Sequence, residues 1–171
     1  MNRRSIISLS AMTTLGLALL PGSTFAQQKS LREQLIGTWT VVSWEQTTKD
    51  GSKLQRFGTN PKGVNFFDAD GHFFIMFARP DLPKIASNNA STMTPEEAKA
   101  IVSGSIAYFG TYTVDETSKI LTLRVESSSR PNQLGIDQKR AITSLTADEL
   151  KYTNLTAITG SNINIAFKRA K

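Results

Sequence analysis

Between positions 38 and 46 apolar and polar residues alternate, many of them β-branched, and this period of two predicts a strand. The pattern returns over 53–57, 63–67, 72–78, 106–115, 120–127, 137–145, 150–155 and 163–168. Turn chemistry separates the runs: Lys49-Asp50-Gly51, Gly58 with Pro61-Lys62-Gly63, Asp68-Ala69-Asp70-Gly71, the stretches 115–118, 130–135 and 146–149, and Thr159-Gly160-Ser161. Two prolines in Arg79-Pro80-Asp81-Leu82-Pro83 end pairing there, since proline cannot donate to a ladder, and 85–93 is a loop rich in Asn, Ser and Ala.

Helical signals interrupt the pattern twice. Ser30 and Glu33 have capping-box spacing, which starts one or two turns ending before Gly37. Thr94-Pro95-Glu96-Glu97 joins an N-cap threonine, a proline at N1 and a capping glutamate. A helix should run from Pro95 to about Ser103, with Ala98, Ile101 and Val102 on its apolar face, and Gly104 should end it. Eight or nine short strands joined mainly by hairpins, with one helix inserted among them, indicate an all-β antiparallel barrel or sandwich.

The first 26 residues break from this scheme. Asn2-Arg3-Arg4 precedes an apolar run over 6–20, Pro21-Gly22 ends the run, and Thr24-Phe25-Ala26 offers a cleavage site. This predicts a removable export signal over 1–26, with 27–171 as one domain. The apolar run is short for a bilayer span and lacks stop-transfer charges, so no stable membrane insertion is expected after cleavage. The expected location is the periplasm or the outside, reached by general secretion in preference to the twin-arginine route that Arg3-Arg4 also allows. The chain has no cysteine, which excludes disulfides, thiol catalysis and Cys-based metal sites.

Twenty basic and fourteen acidic residues give a formal net charge of +6, and two of the arginines belong to the signal. The remaining basic residues are scattered, apart from Lys168-Arg169-Ala170-Lys171, read as a frayed end. Nucleic-acid binding needs a basic stripe with stacking aromatics, and none is organised, so no nucleic acid is expected as a partner. His72 is the only histidine and follows a turn. Without ligand partners at useful spacing it is read as an exposed turn residue, and neither a metal nor a cofactor is expected.

Gly37-Thr38-Trp39, followed by Ser43-Trp44-Glu45 and an up-and-down series of strands, resembles the Gly-x-Trp opening of lipocalins. Further blocks are similar to the bacterial and fungal lipocalin-like domain family. They include Phe57-Gly58-x-x-Pro61-Lys62-Gly63, Arg79-Pro80-Asp81, Thr94-Pro95-Glu96-Glu97-Ala98, Tyr108-Phe109-Gly110-Thr111-Tyr112, Val125-Glu126-Ser127-Ser128 and Asp137-Gln138-x-Arg140. The resemblance implies a calycin-type up-and-down barrel of eight or nine strands with an internal cavity. It implies no settled activity, since isomerase or cyclase roles have been suggested for some members.

In such a barrel Trp39, with Gly37 beside it, is structural: the indole plugs the closed end and its N–H needs a partner. Arg140 either stacks across that indole, as a late-strand arginine does in lipocalins, or points into the cavity. Alternation places Glu126 with Arg124 on one face, and Gln138 with Arg140 on one face. An inward Glu126–Arg140 pair would hold a carboxylate or enolate ligand, or would be a self-satisfied ion pair. Tyr108 and Tyr112 share a face across Gly110, where the missing side chain leaves room for a ligand or a ring. Phe66, Phe67, Phe73, Phe74 and Phe77 cover both faces of their hairpin, one face for the interior and the other to meet the helix.

Three functions follow as expectations. The first is an exported lipocalin-like protein that binds a small apolar or amphipathic molecule, with the loop from Arg79 and the helix after it over one mouth. Its cavity candidates are Tyr108, Tyr112, Glu126, Gln138 and Arg140. The second is a cofactor-free isomerase, cyclase or dehydratase, in which Glu126, Arg140, Tyr108 and Tyr112 converge in one pocket. The third is a structural or interaction module with a filled interior.

Overall fold

Strand β1 (Gly37–Thr47) carries the barrel, because it pairs on both sides. The computed structural model describes residues 29–155 and 162–171; the export signal expected over 1–26 and the turn expected at Thr159-Gly160-Ser161 lie outside them. A short helix α1 (Leu31–Leu35) precedes β1, and its capping box forms as the Ser30–Glu33 spacing requires. After β1 come β2 (Lys53–Leu54), β3 (Lys62–Phe67), β4 (His72–Ala78), helix α2 (Pro95–Gly104), β5 (Ser105–Asp115) and β6 (Ile120–Ser128). Strands β7 (Asp137–Leu145), β8 (Glu149–Asn154) and β9 (Asn162–Arg169) complete the chain.

All strand pairings are antiparallel, and the sheet runs β2-β1-β3-β4-β5-β6-β7-β8-β9, with β9 returning to β1. Eight strands therefore close a barrel, and β2 is an extra two-residue strand on the end of β1. Strand β2 is shorter than the 53–57 run predicts because Phe57 leaves the ladder and turns into the core, where its ring meets Trp44 edge-on at 5.2 Å.

Alternation fixes the interior except where a bulge shifts it. On β1 Trp39 and Val41 face inward, the register against β9 slips between Val41 and Ser43, and Trp44 then takes the next inward position. One extra residue resets the phase of every side chain beyond it. Strand β6 is simpler: Leu121, Leu123 and Val125 occupy the interior, which leaves Arg124 and Glu126 outside.

The two ends of the barrel differ. At the end covered by α1, Trp39, Phe67, Leu121 and Leu35 are fully buried, and the interior is packed. The Trp39 indole N–H donates to the Leu35 carbonyl at 2.8 Å. Arg169, and not Arg140, lies over this indole, with Cζ 4.1 Å from the ring centroid. The C-terminus is therefore pinned, in contrast to the frayed end expected there. Gly37 is required beside it: its φ is +124°, and a Cβ there would sit 2.9 Å from Arg169 Nη1.

Helix α2 follows its sequence signals, with the Thr94–Glu97 capping box formed and Pro95 at its start. Its expected apolar face is only partly covered: Ala98 and Ile101 are half-buried but Val102 is 62% exposed, and at the end of the helix Gly104 lies against Leu82 and Arg79. The outer phenylalanines do not meet it. Phe66, Phe74 and Phe109 stand opposite one another across β3, β4 and β5, on the outside of the barrel and exposed. No helix of the described residues is long and apolar enough to cross a membrane.

Candidate ligand-binding cavity

At the end opposite Trp39 the barrel interior is open. A cavity of about 160 Å³ lies there, close to the volume of an engineered apolar cavity that takes up benzene. Its apolar wall has an aromatic side, Trp44, Phe57 and Phe77, and an aliphatic side, Ile106, Ile136, Ile163 and Ile165. The aromatic side is braced by its own contacts, since Phe57 also meets Phe77 at 5.8 Å.

The floor is polar. Strand β7 turns Gln138 and Arg140 inward at successive even positions, and β5 brings Tyr108 beside them. Arg140 is only 2% exposed. Its Nη2 donates to Gln138 Oε1 at 2.5 Å and at longer range to the Tyr108 hydroxyl at 3.5 Å. Its Nη1 donates to Asn154 Oδ1 at 2.8 Å and to the Lys139 carbonyl at 3.2 Å. Its Nε, also buried, has no partner. Beneath it the Tyr152 ring lies 5.9 Å from Cζ, and Asn65 Nδ2 donates to the Tyr152 hydroxyl at 3.3 Å. Complete burial pushes the Tyr152 phenol well up, so it stays protonated.

Two more arginines stand at the mouth. Arg56 Nε donates to the Ser103 carbonyl at 2.9 Å, and Arg130 Nη2 to the Ser105 carbonyl at 3.1 Å and the Val102 carbonyl at 3.5 Å. Both thus answer carbonyls at the C-terminal end of α2, where the helix dipole favours cations. Burial pushes both guanidinium groups down, and for Arg130 the charge of Arg56 adds to the effect. Residues 79–104, expected to cover the mouth, do not line the cavity themselves; α2 acts on it through the arginines it holds.

The five cavity candidates therefore separate. Tyr108, Gln138 and Arg140 meet at the floor. Tyr112 is at the other end, its hydroxyl donating to the Asp68 carbonyl at 2.7 Å and its ring edge-on to Phe67. Glu126 is exposed on the outer wall, because Leu121, Leu123 and Val125 claim the inner face of β6. No Glu126–Arg140 pair forms, and the four-residue acid–base constellation is not assembled. Nor does Gly110 leave a gap: a Cβ there would lie 2.0 Å from the Arg124 carbonyl oxygen, where β6 bulges against β5. Arg56, Arg130, Asn65 and Tyr152 were not among the candidates; their inward placement depends on loop paths and strand register, although alternation on β3 and β8 carries part of the signal.

His72 is exposed, with Nδ1 3.1 Å from Asp68 Oδ2. Among the described residues no three His, Asp or Glu side chains are grouped to hold a metal ion.

A family model described as a lipocalin-like domain matches residues 36–168. No curated protein matches the chain. Among solved structures, a lipocalin-like protein from Bacteroides uniformis is similar at 12% identity and a TM-score of 0.43, over 80% of this chain and 99% of that one. A redesigned β-barrel, mFAP1, bound to DFHBI is similar at 17% identity and a TM-score of 0.42, over 82% of this chain and 100% of that one.

Proposed function

Because the chain belongs to the lipocalin-like domain family, we propose that it is an exported barrel that binds a small, largely apolar molecule in the cavity opposite Trp39. The observation that carries the reading is the contrast between the two halves of the interior. One is packed to full burial around Trp39, and the other holds a cavity with aromatic and aliphatic walls. A structural module with a filled interior has no reason to leave that volume, since cavities cost stability in proportion to their size. The volume favours a compact ligand of one or two rings.

The test uses the neutral two-ring fluorescent probe 1-aminonaphthalene. The purified protein is expected to bind it and to release it to small aromatic competitors, and Ile106→Trp, which fills the cavity, is expected to abolish binding while leaving the fold intact. Undiminished binding by the filled variant would place the probe elsewhere and end this reading. For export, expression of the full chain in a bacterial host should yield a periplasmic protein lacking residues 1–26 by intact mass.

A further inference from the structure

We infer that the ligand of this cavity is an anion, a compact aromatic or alicyclic carboxylate whose charged head is held by Arg140 with Tyr108 and Gln138. The inference rests on the cavity being a binding site and goes on to name the chemistry of its occupant.

A guanidinium is always charged and carries five N–H donors. Taking it out of water is costly unless an opposite charge answers it. Arg140 is buried at the cavity floor, and all of its partners are neutral: Gln138, Asn154, Tyr108 and a backbone carbonyl. None of the ion pairs among the described residues includes it. Residues 1–28 and 156–161 contain neither Asp nor Glu. All fourteen carboxylates of the chain thus lie in the described residues, and none lines the cavity, whereas three arginines do. Arg56 and Arg130 meet carbonyls at the C-terminal end of α2, where the helix dipole favours cations, whereas the backbone partner of Arg140 is the Lys139 carbonyl within β7.

Donors are left over around this guanidinium. Arg140 Nε is without a partner. Gln138 gives its Oε1 to Arg140, which leaves its amide hydrogens for another acceptor. The Tyr108 hydroxyl accepts from Arg140 and keeps its own proton to donate. A carboxylate would meet these donors at once, and its ring would lie against Trp44, Phe57 and Phe77. Charge-assisted contacts of this kind are the strong ones among hydrogen bonds.

The experiment compares 2-naphthoate with 2-naphthamide, which share a body and differ in the charge of the head. Calorimetric titration of the wild-type protein is expected to show the acid binding about 10- to 100-fold tighter, the range set by hydrogen bonds to a charged group. Arg140→Gln should bring the acid down to the affinity of the amide and leave the amide nearly unchanged. Tyr108→Phe should weaken the acid alone, and Arg124→Gln, on the outer wall, should change neither. Equal affinity of the two compounds for the wild-type protein overturns the anion inference and leaves the cavity function standing. A preference for the acid that survives Arg140→Gln overturns the role of Arg140. Absence of binding by both compounds and by the neutral probe overturns the cavity function, and this inference with it. If Arg140→Gln does not fold, the wild-type comparison and Tyr108→Phe decide the matter.

Discussion

Arg169 sits on Trp39 as a lid on a plug. Its guanidinium covers the indole, and its three nitrogens donate to the carbonyls of Ala147 at 2.5 Å, Ile36 at 2.9 Å and Gln34 at 2.7 Å. One side chain therefore ties β9 to α1, to the entry of β1 and to the turn before β8.

Arg169→Ala is expected to destabilise the barrel by about 2–4 kcal/mol, combining a desolvated cation–π contact with the loss of hydrogen bonds from a charged donor. Arg169→Lys should recover little, because an ammonium cannot reproduce the planar fork. Urea unfolding of the three proteins measures both effects. A lysine variant as stable as wild type would show that charge alone suffices.

The two tyrosines of β5 should respond in opposite ways. Tyr112→Phe loses the bond to the Asp68 carbonyl and should cost about 1 kcal/mol of stability with no change in ligand affinity. Tyr108→Phe gives up only a long contact to Arg140, so stability should hold while carboxylate binding weakens. Thermal unfolding and calorimetry on the same pair of variants separate the outcomes.

Gly110→Ala should be severely destabilising, by roughly 2–3 kcal/mol or more, since the added methyl meets backbone that cannot move aside as a side chain does. The measured quantity is the urea midpoint. A shift within experimental scatter would mean that the bulge on β6 yields at little cost.

The Glu97 carboxylate makes α2 and the loop before it sensitive to acid. The amides of Ala86 and Thr94 donate to it and hold its carboxyl below the usual glutamate range. Its folded value is the lower one, so the contribution is present above the unfolded value near ~4.3 and is lost as pH falls through the folded value. Glu97→Gln should therefore lie below wild type in melting temperature at pH 7, and the gap should close towards pH 3. A gap independent of pH would remove the carboxylate from the account.

Local signals were legible in the sequence, and contacts between distant segments were not. Ser30 with Glu33 and Thr94 with Glu97 form their capping boxes because each box is closed by residues three apart. Gly37 and Trp39 lie together at the packed end of the barrel, within three residues of one strand. Alternation correctly sorts Arg124 with Glu126 and Gln138 with Arg140, but parity says which residues share a face and not which face is inside. On β6 the answer was available in Leu121, Leu123 and Val125, which outweigh one carboxylate. The choice between Arg140 and Arg169 for the indole needed the β1–β9 register, in which Trp39 stands opposite Arg169. The neutral surroundings of Arg140 draw on β5, β7 and β8 at once, and no window of sequence contains them.

That register has a kinetic consequence. From β3 to β9 each strand pairs with the next along the chain, but the seam joins the first long strand to the last, and Arg169 reaches Gln34 across 135 residues of sequence. Closing so long a loop is entropically expensive, and non-local pairing slows folding. The meander can form hairpin by hairpin, whereas the barrel closes only when its two ends find each other. Until then β1 and β9 both present bare edges, the arrangement through which one chain pairs with another. The clasp of Arg169 on Trp39 is thus also a safeguard: it seals the last step of folding, the one at which the chain is most open to exchange with its neighbours.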